Sequence, residues 1–155
     1  MDLVLWRHAQ AQDWAPGCND LARALTTKGE KQALRMAKWL DRQLPQGARI
    51  LCSPARRAEQ TVAALGRKYK LDPELGPHAT AVQLLQRVQW PNASVTVLVV
   101  GHQPTLGLVA AQLLGLSEAE CSISKGAVWW LRHKPGVADA DADAVIVTVQ
   151  TPQML

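Results

Sequence analysis

Arg7 and His8 stand side by side at the end of the first apolar run of the chain, Leu3-Val4-Leu5-Trp6. The pair sets a permanent positive charge next to a titratable nitrogen nucleophile, the combination that phosphoryl transfer uses. Two later segments carry related chemistry. In Cys52-Ser53-Pro54-Ala55-Arg56-Arg57 a short apolar run gives way to a proline and then to arginines on the first turn of an expected helix. Free backbone N–H groups and the helix dipole favour an anion there, and a guanidinium can grip two oxygens of one phosphoryl group. In Gly101-His102-Gln103-Pro104 a second histidine follows the β-branched run Val95 to Val100. Each segment also has a plainer reading. Arg7-His8 can be a strand end turning polar as it meets solvent, Arg57 a surface partner of Glu59 or Glu74, and His102 a cap bonded within its own turn.

The elements expected around these residues decide between the readings. Leu3–Trp6, Arg49–Cys52 and Val95–Val100 read as buried strands, the last as one covered on both faces. Trp14–Ala24, with Pro16, Gly17, Asn19 and Asp20, reads as a loop. Thr26 or Thr27 caps a helix with Glu30 near its third position, Ala33, Ala37, Leu40 and Leu44 form its apolar stripe, and Pro45-Gln46-Gly47 ends it. Pro54 opens a second helix running to about Tyr69, Leu71–Thr80 is irregular, and Ala81–Val88 is a short helix. Pro104 starts a further helix to about Leu114, and late strands fall at Ala127–Leu131 and Ala144–Val149. Strands alternating with helices predict an α/β sandwich with a largely parallel sheet. In such a sheet the three polar junctions share the carboxyl edge, where α/β folds place ligands.

Composition narrows the function. A chain of 155 residues fits one domain, 1–155, with a real core, and the 48% hydrophobic and 19% charged content is that of a soluble globular protein. No apolar run approaches the ~20 residues that span a bilayer, and the start lacks the basic segment of a secretory signal. Cys18, Cys52 and Cys121 are too scattered for a disulfide framework, and no paired Cys or His spacing suggests zinc, so a cytoplasmic setting is expected. The net charge of +4 is dispersed. It suits an anionic substrate and argues against nucleic acid, which calls for a denser basic stripe.

Four segments in order resemble the histidine phosphatase superfamily, most closely its small SixA-type phosphohistidine phosphatases. They are Arg7-His8-Ala9, Leu25-Thr26-Thr27-Lys28-Gly29, Ser53-Pro54-Ala55-Arg56-Arg57-Ala58-Glu59-Gln60-Thr61 and Gly101-His102-Gln103-Pro104. The resemblance runs from residue 3 to about residue 115. It implies a three-layer α/β sandwich with a mostly parallel mixed sheet, phosphoglycerate mutase-like, compact and without lid insertions. It makes His8 the phosphorylated nucleophile, with Arg7, Arg57 and His102 on the phosphoryl group. Arg57 stands four positions after the serine, as the family arginine does, and Arg56 is the second choice. Arg23, just before the Leu-Thr segment, is expected at the pocket mouth. No cofactor or metal is implied, since side chains supply the positive charge.

The chain departs from the commoner pattern in two places. Ala9 replaces a glycine, so its backbone must be ordinary. Many larger relatives hold a carboxylate proton donor before the Gly-His block; Glu74 is the nearest here, in Asp72-Pro73-Glu74-Leu75-Gly76-Pro77-His78. A missing donor suits a phosphoramidate, whose imidazole leaving group needs less help than an alkoxide. Trp129-Trp130 is expected to put one ring in the core and one outside. Cys52 is expected to pack as a small buried residue, and Asp139, Asp141 and Asp143 to form a solvated turn, not a calcium loop. The expected function is a phosphatase acting on phosphohistidine in a signalling or phosphorelay protein. The alternatives are a small-molecule phosphomonoesterase and a non-catalytic phosphate-binding module.

Overall fold

Six strands form one mixed sheet in the computed structural model, which describes residues 1–117, 119–135 and 142–155. The strands are β1 (Asp2–Arg7), β2 (Arg49–Cys52), β3 (Lys70–Leu71), β4 (Val97–Gly101), β5 (Val128–His133) and β6 (Ala144–Gln150), in the order β3-β2-β4-β1-β5-β6. The pairs β3–β2, β2–β4 and β4–β1 are parallel; β1–β5 and β5–β6 are antiparallel. The helices are α1 (Thr27–Gln43), α2 (Arg56–Ala63), α3 (Ala81–Arg87) and α4 (Thr105–Leu113).

Strand alternation sorts the side chains into two apolar layers. Leu3, Leu5, Val97 and Val99 pack with Leu84 of α3 and with Leu106, Val109 and Ala110 of α4. Val4, Trp6, Leu98 and Val100 pack with Met36, Ala37 and Leu40 of α1 and with Ala58 and Val62 of α2. The result is a sheet sandwiched between two helical layers, the expected α/β architecture. Because both faces are covered, neither Trp129 nor Trp130 projects freely. Trp129 lies half-buried on the α3–α4 side, while Trp130 lies buried on the α1–α2 side and donates its indole N–H to Asp2 Oδ2 at 2.9 Å. The expectation of one outward ring overlooked the second helical layer.

Other boundaries differ for local reasons. The second helix ends at Ala63, not near Tyr69. Leu65 and Gly66 turn the chain with tight bonds to the Val62 and Ala63 carbonyls, Gly66 taking φ +70°. The freed segment then supplies β3, a two-residue edge strand too short to leave a sequence pattern. Thr26 caps α1 by accepting the Gly29 N–H at 3.0 Å, so Glu30 lies one position beyond a capping box. That box is instead completed by Thr80 and Gln83 at α3. Gly29 has a packing reason: a Cβ there would collide with the backbone carbonyl of Gln10, on the loop that follows β1. Asp139 and Asp141 lie outside the described residues, whereas Asp143 accepts the Trp90 indole N–H at 2.7 Å. Among the described residues no helix is long and apolar enough to cross a membrane.

Candidate active site

The carboxyl ends of β2, β4 and β1 are adjacent; β1 and β4 hand His8 and His102 to one cavity, and β2 places Ser53 behind His102. His8 N–H donates to the Gly101 carbonyl at 3.1 Å and Ser53 N–H to the Val100 carbonyl at 3.0 Å, so the sheet itself sets the spacing of the three junctions. A cavity of about 290 Å³ is lined by Arg7, His8, Arg57 and His102, with Arg23 and Lys125 also on its wall. The His8 and His102 rings lie 5.1 Å apart, tilted by 55°. Glu74 does not line this cavity. It sits exposed, 3.8 Å from Arg87, on the wall of a neighbouring one.

His8 is buried, and its Nδ1 lies 2.8 Å from the Ala9 carbonyl. A carbonyl only accepts, so Nδ1 carries the ring proton and Nε2 keeps a lone pair. Burial, opposed by the Ala9 contact and reinforced by Arg57 and Arg7, pushes the His8 pKa down from 6.5 to about 4. His102 Nε2 lies 2.7 Å from Ser53 Oγ, and its Nδ1 lies 3.5 Å from Arg57 Nη2. Burial, followed by the charges of His8 and Arg57, pushes the His102 pKa to about 3. Both rings are therefore neutral at neutral pH.

The arginines are held from behind. Arg7 Nη1 donates to the Ile123 carbonyl at 2.8 Å. Arg57 is 3% exposed and donates to the Asp20 carbonyl at 2.7 Å and to Asp20 Oδ2 at 3.1 Å, whereas Arg56 points to solvent. Asp20 also accepts from Arg23 at 2.9 Å, and Arg23 Nη1 donates to the Gln12 carbonyl at 2.6 Å. Neither Glu59 nor Glu74 pairs with Arg57. The Nε groups of Arg7 and Arg57 are buried with no partner among the described residues. Desolvation lowers both guanidinium pKa values from their ordinary high range, which leaves the groups charged. A buried guanidinium and a half-buried one, facing two neutral imidazoles, form a receptor for a tetrahedral oxyanion.

Two contributors, Asp20 and Lys125, had no signal in the sequence pattern, and a third, Thr61, stood in the matched Ser-Pro segment without an assigned role. Asp20 sits in an irregular loop, and only the fold brings it to Arg57. Lys125 reaches the wall on a turn whose Gly126 N–H bonds the Arg7 and His8 carbonyls, both at 3.1 Å. Thr61, inside the Ser-Pro segment, accepts the Ala9 N–H at 3.1 Å and donates to the Arg57 carbonyl at 2.7 Å, which ties the loop after β1 to α2. Cys52 is buried, its thiol pKa pushed up by burial, and its Sγ–H donates to the Ser53 carbonyl at 3.2 Å. No group of three or more potential metal ligands occurs among the described residues.

Comparisons with known proteins agree with this arrangement. The family model of the histidine phosphatase superfamily (branch 1) matches residues 3–79. The chain is 32% identical over 121 residues to the phosphohistidine phosphatase SixA of Escherichia coli K12, covering 73% of this chain and 74% of that one. A SixA solved in complex with tungstate superposes with a TM-score of 0.81 at 28% identity, covering 99% of both chains. A putative phosphohistidine phosphatase SixA from Nakamurella multipartita superposes with a TM-score of 0.78 at 31% identity, covering 97% of this chain and 95% of that one. More distant likenesses, such as the phosphoserine phosphatase of Entamoeba histolytica at 15% identity and a TM-score of 0.75, share the fold. With four ordered motifs at one sheet edge and SixA relatives matched in sequence and structure, the chain belongs to branch 1 of the histidine phosphatase superfamily, in its SixA-type group, and is a phosphatase.

Proposed function

We propose that the protein hydrolyses phosphohistidine in a partner protein, in the cytoplasm, through a phosphorylated His8. The observation that carries this is the contact of His8 Nδ1 with the Ala9 carbonyl, which leaves Nε2 unprotonated in a cavity walled by Arg7, Arg57 and His102. In the first displacement the Nε2 lone pair forms a bond to phosphorus. The substrate P–N bond breaks, its electron pair returns to the leaving imidazole, and that nitrogen takes a proton from water. In the second, a water oxygen attacks phosphorus and releases its proton to solvent, and the Nε2–P pair returns to His8. Arg7 and Arg57 carry the charge of the equatorial oxygens. Arg57 Nη2 can only donate, so His102 Nδ1, 3.5 Å away, accepts from it; His102 Nε2 then carries the ring proton and donates it to Ser53 Oγ, which also accepts the Ala55 N–H at 3.1 Å, and His102 steadies Arg57 against the phosphoryl group.

The substrate assignment follows from the leaving group. The carboxylate expected as proton donor, Glu74, faces a different cavity, Asp20 is kept ionised by Arg23 and Arg57 despite the opposing effect of desolvation, and Asp13, the carboxylate on the wall of the phosphoryl cavity, is solvent-exposed. A site with no buried carboxylic acid to protonate the leaving group suits an imidazole better than an alkoxide. The SixA relatives point the same way, and tungstate, a tetrahedral oxyanion, is the ligand in one of them. The test is rapid mixing with ³²P-phosphohistidine protein, phosphoramidate and small phosphomonoesters on one preparation. A burst of one acid-labile phosphate per chain, lost in His8→Ala, and turnover of phosphohistidine far above alkyl esters are expected. Equal rates on unactivated alkyl phosphates would favour the small-molecule reading. Stoichiometric binding with no burst would favour a binding module.

A further inference from the structure

Beside the phosphoryl cavity lies a second one of about 490 Å³, within the range that binds ligands. The two are continuous in their walls. Pro77 lines both, and Asp20, which holds Arg57 from one side, faces the second cavity from the other. Their chemistry is opposite. The phosphoryl cavity is predominantly cationic, with Arg7, Arg23, Arg57 and Lys125 against the single carboxylate Asp13, whereas the second is walled by Leu21, Pro54, Pro73 and Pro77, with Asp20 and Glu74 as its charged groups. Leu21 is 46% exposed, an apolar side chain held at the mouth of a charged site. Glu74 is largely uncompensated: Arg87 is committed to the buried Asp72 at 2.6 Å and lies 3.8 Å from Glu74. The Glu74 N–H in turn bonds Asp72 Oδ1 at 3.0 Å, so the loop that presents the carboxylate is fixed.

We propose that this second cavity is the recognition subsite for the polypeptide flanking the phosphohistidine, and that it takes an apolar side chain together with a lysine or arginine. The inference rests on the phosphohistidine reading above and gives Glu74 a role in selecting the substrate. A phosphoryl dianion satisfies the arginine side of the cleft, and a basic neighbour satisfies the acidic side. Rings of proline and an exposed leucine lose little entropy on packing, so the apolar contact adds to the charge pairing.

The experiment compares kcat/KM for two phosphohistidine peptides, Lys-Leu-His-Leu-Lys and Glu-Ser-His-Ser-Glu phosphorylated on the histidine, each divided by the value for phosphoramidate. A half-exposed ion pair and one packed side chain predict a preference of about five- to tenfold for the basic peptide, shrinking in high salt. Glu74→Lys should abolish or invert that preference, and Leu21→Ser should reduce it at every salt concentration. Equal use of the two peptides by the wild type, or a preference kept intact in Glu74→Lys, would overturn the subsite while leaving the phosphatase reading standing. A preference for the acidic peptide would move recognition to the Lys125 side and overturn it equally. Turnover of neither peptide, with phosphomonoesters hydrolysed normally, would remove the phosphohistidine reading and the subsite with it.

Discussion

Two neutral buried histidines should make the fold sensitive to mild acid. His8 has its pKa depressed from 6.5 to about 4 and His102 to about 3. The unfolded chain therefore binds protons that the folded chain refuses, and stability falls as pH drops from 6.5 toward 4. Between pH 7 and pH 5 each ring costs about 2 kcal/mol, so the pair costs about 4 kcal/mol, a large share of an ordinary domain's stability. The carboxylates with lowered pKa, Asp2 and Asp20, lose their contribution only below about 3.8, outside that window. Urea denaturation at both pH values, in buffer free of phosphate and other oxyanions, measures the difference. His8→Asn should remove about half of the pH dependence, whatever it does to stability at pH 7. A wild type equally stable at pH 7 and pH 5, or a His8→Asn variant with the full pH dependence, would refute the burial argument. A directly titrated His8 pKa near 6.5 would do so too.

Arg57→Ala should raise the KM for phosphoramidate at least tenfold, the value of a lost charge-assisted pair, whereas Arg56→Ala should leave it within about twofold; the reverse order in steady-state kinetics would contradict the structure. Ser53→Ala should lower kcat about tenfold or more with less change in KM, because His102 loses the group that fixes its tautomer; the effect is read from single-turnover phosphoenzyme formation. Gly29→Ala should destabilise the fold by about 2–4 kcal/mol, as a methyl is forced against the Gln10 backbone, and a thermal melt unchanged from wild type would be incompatible with that packing. Prolonged EDTA treatment should leave turnover unchanged, since the guanidinium groups supply the positive charge; a loss restored by added metal would reassign that charge.

Much of this protein was legible in its sequence, for physical reasons that can be named. The run Leu3–Trp6 and the run ending at Val100 have the composition of strands covered on both faces, and parallel strands carry their junctions to one edge. That places Arg7, His8, Arg57 and His102 at one edge of the sheet on sequence grounds alone. The register within α2 followed from the four-residue step after Ser53, and the structure buries Arg57 while Arg56 faces solvent. Local spacing cannot encode a contact made by an irregular loop. Asp20 reaches Arg57 across 37 positions, and the second cavity exists only because that loop and residues 73–79 close on the same side. Backbone partners are likewise invisible until the chain is folded. A histidine is a nucleophile by type, but its tautomer is set by the Ala9 carbonyl 2.8 Å from Nδ1, which leaves Nε2 as the unprotonated nitrogen. Its neutrality was decided by burial, and the separation of Glu74 from the phosphoryl cavity by the path of its loop. Covalent spacing thus determined which groups meet at the sheet edge, and packing and desolvation determined their protonation, their orientation and the neighbours they meet.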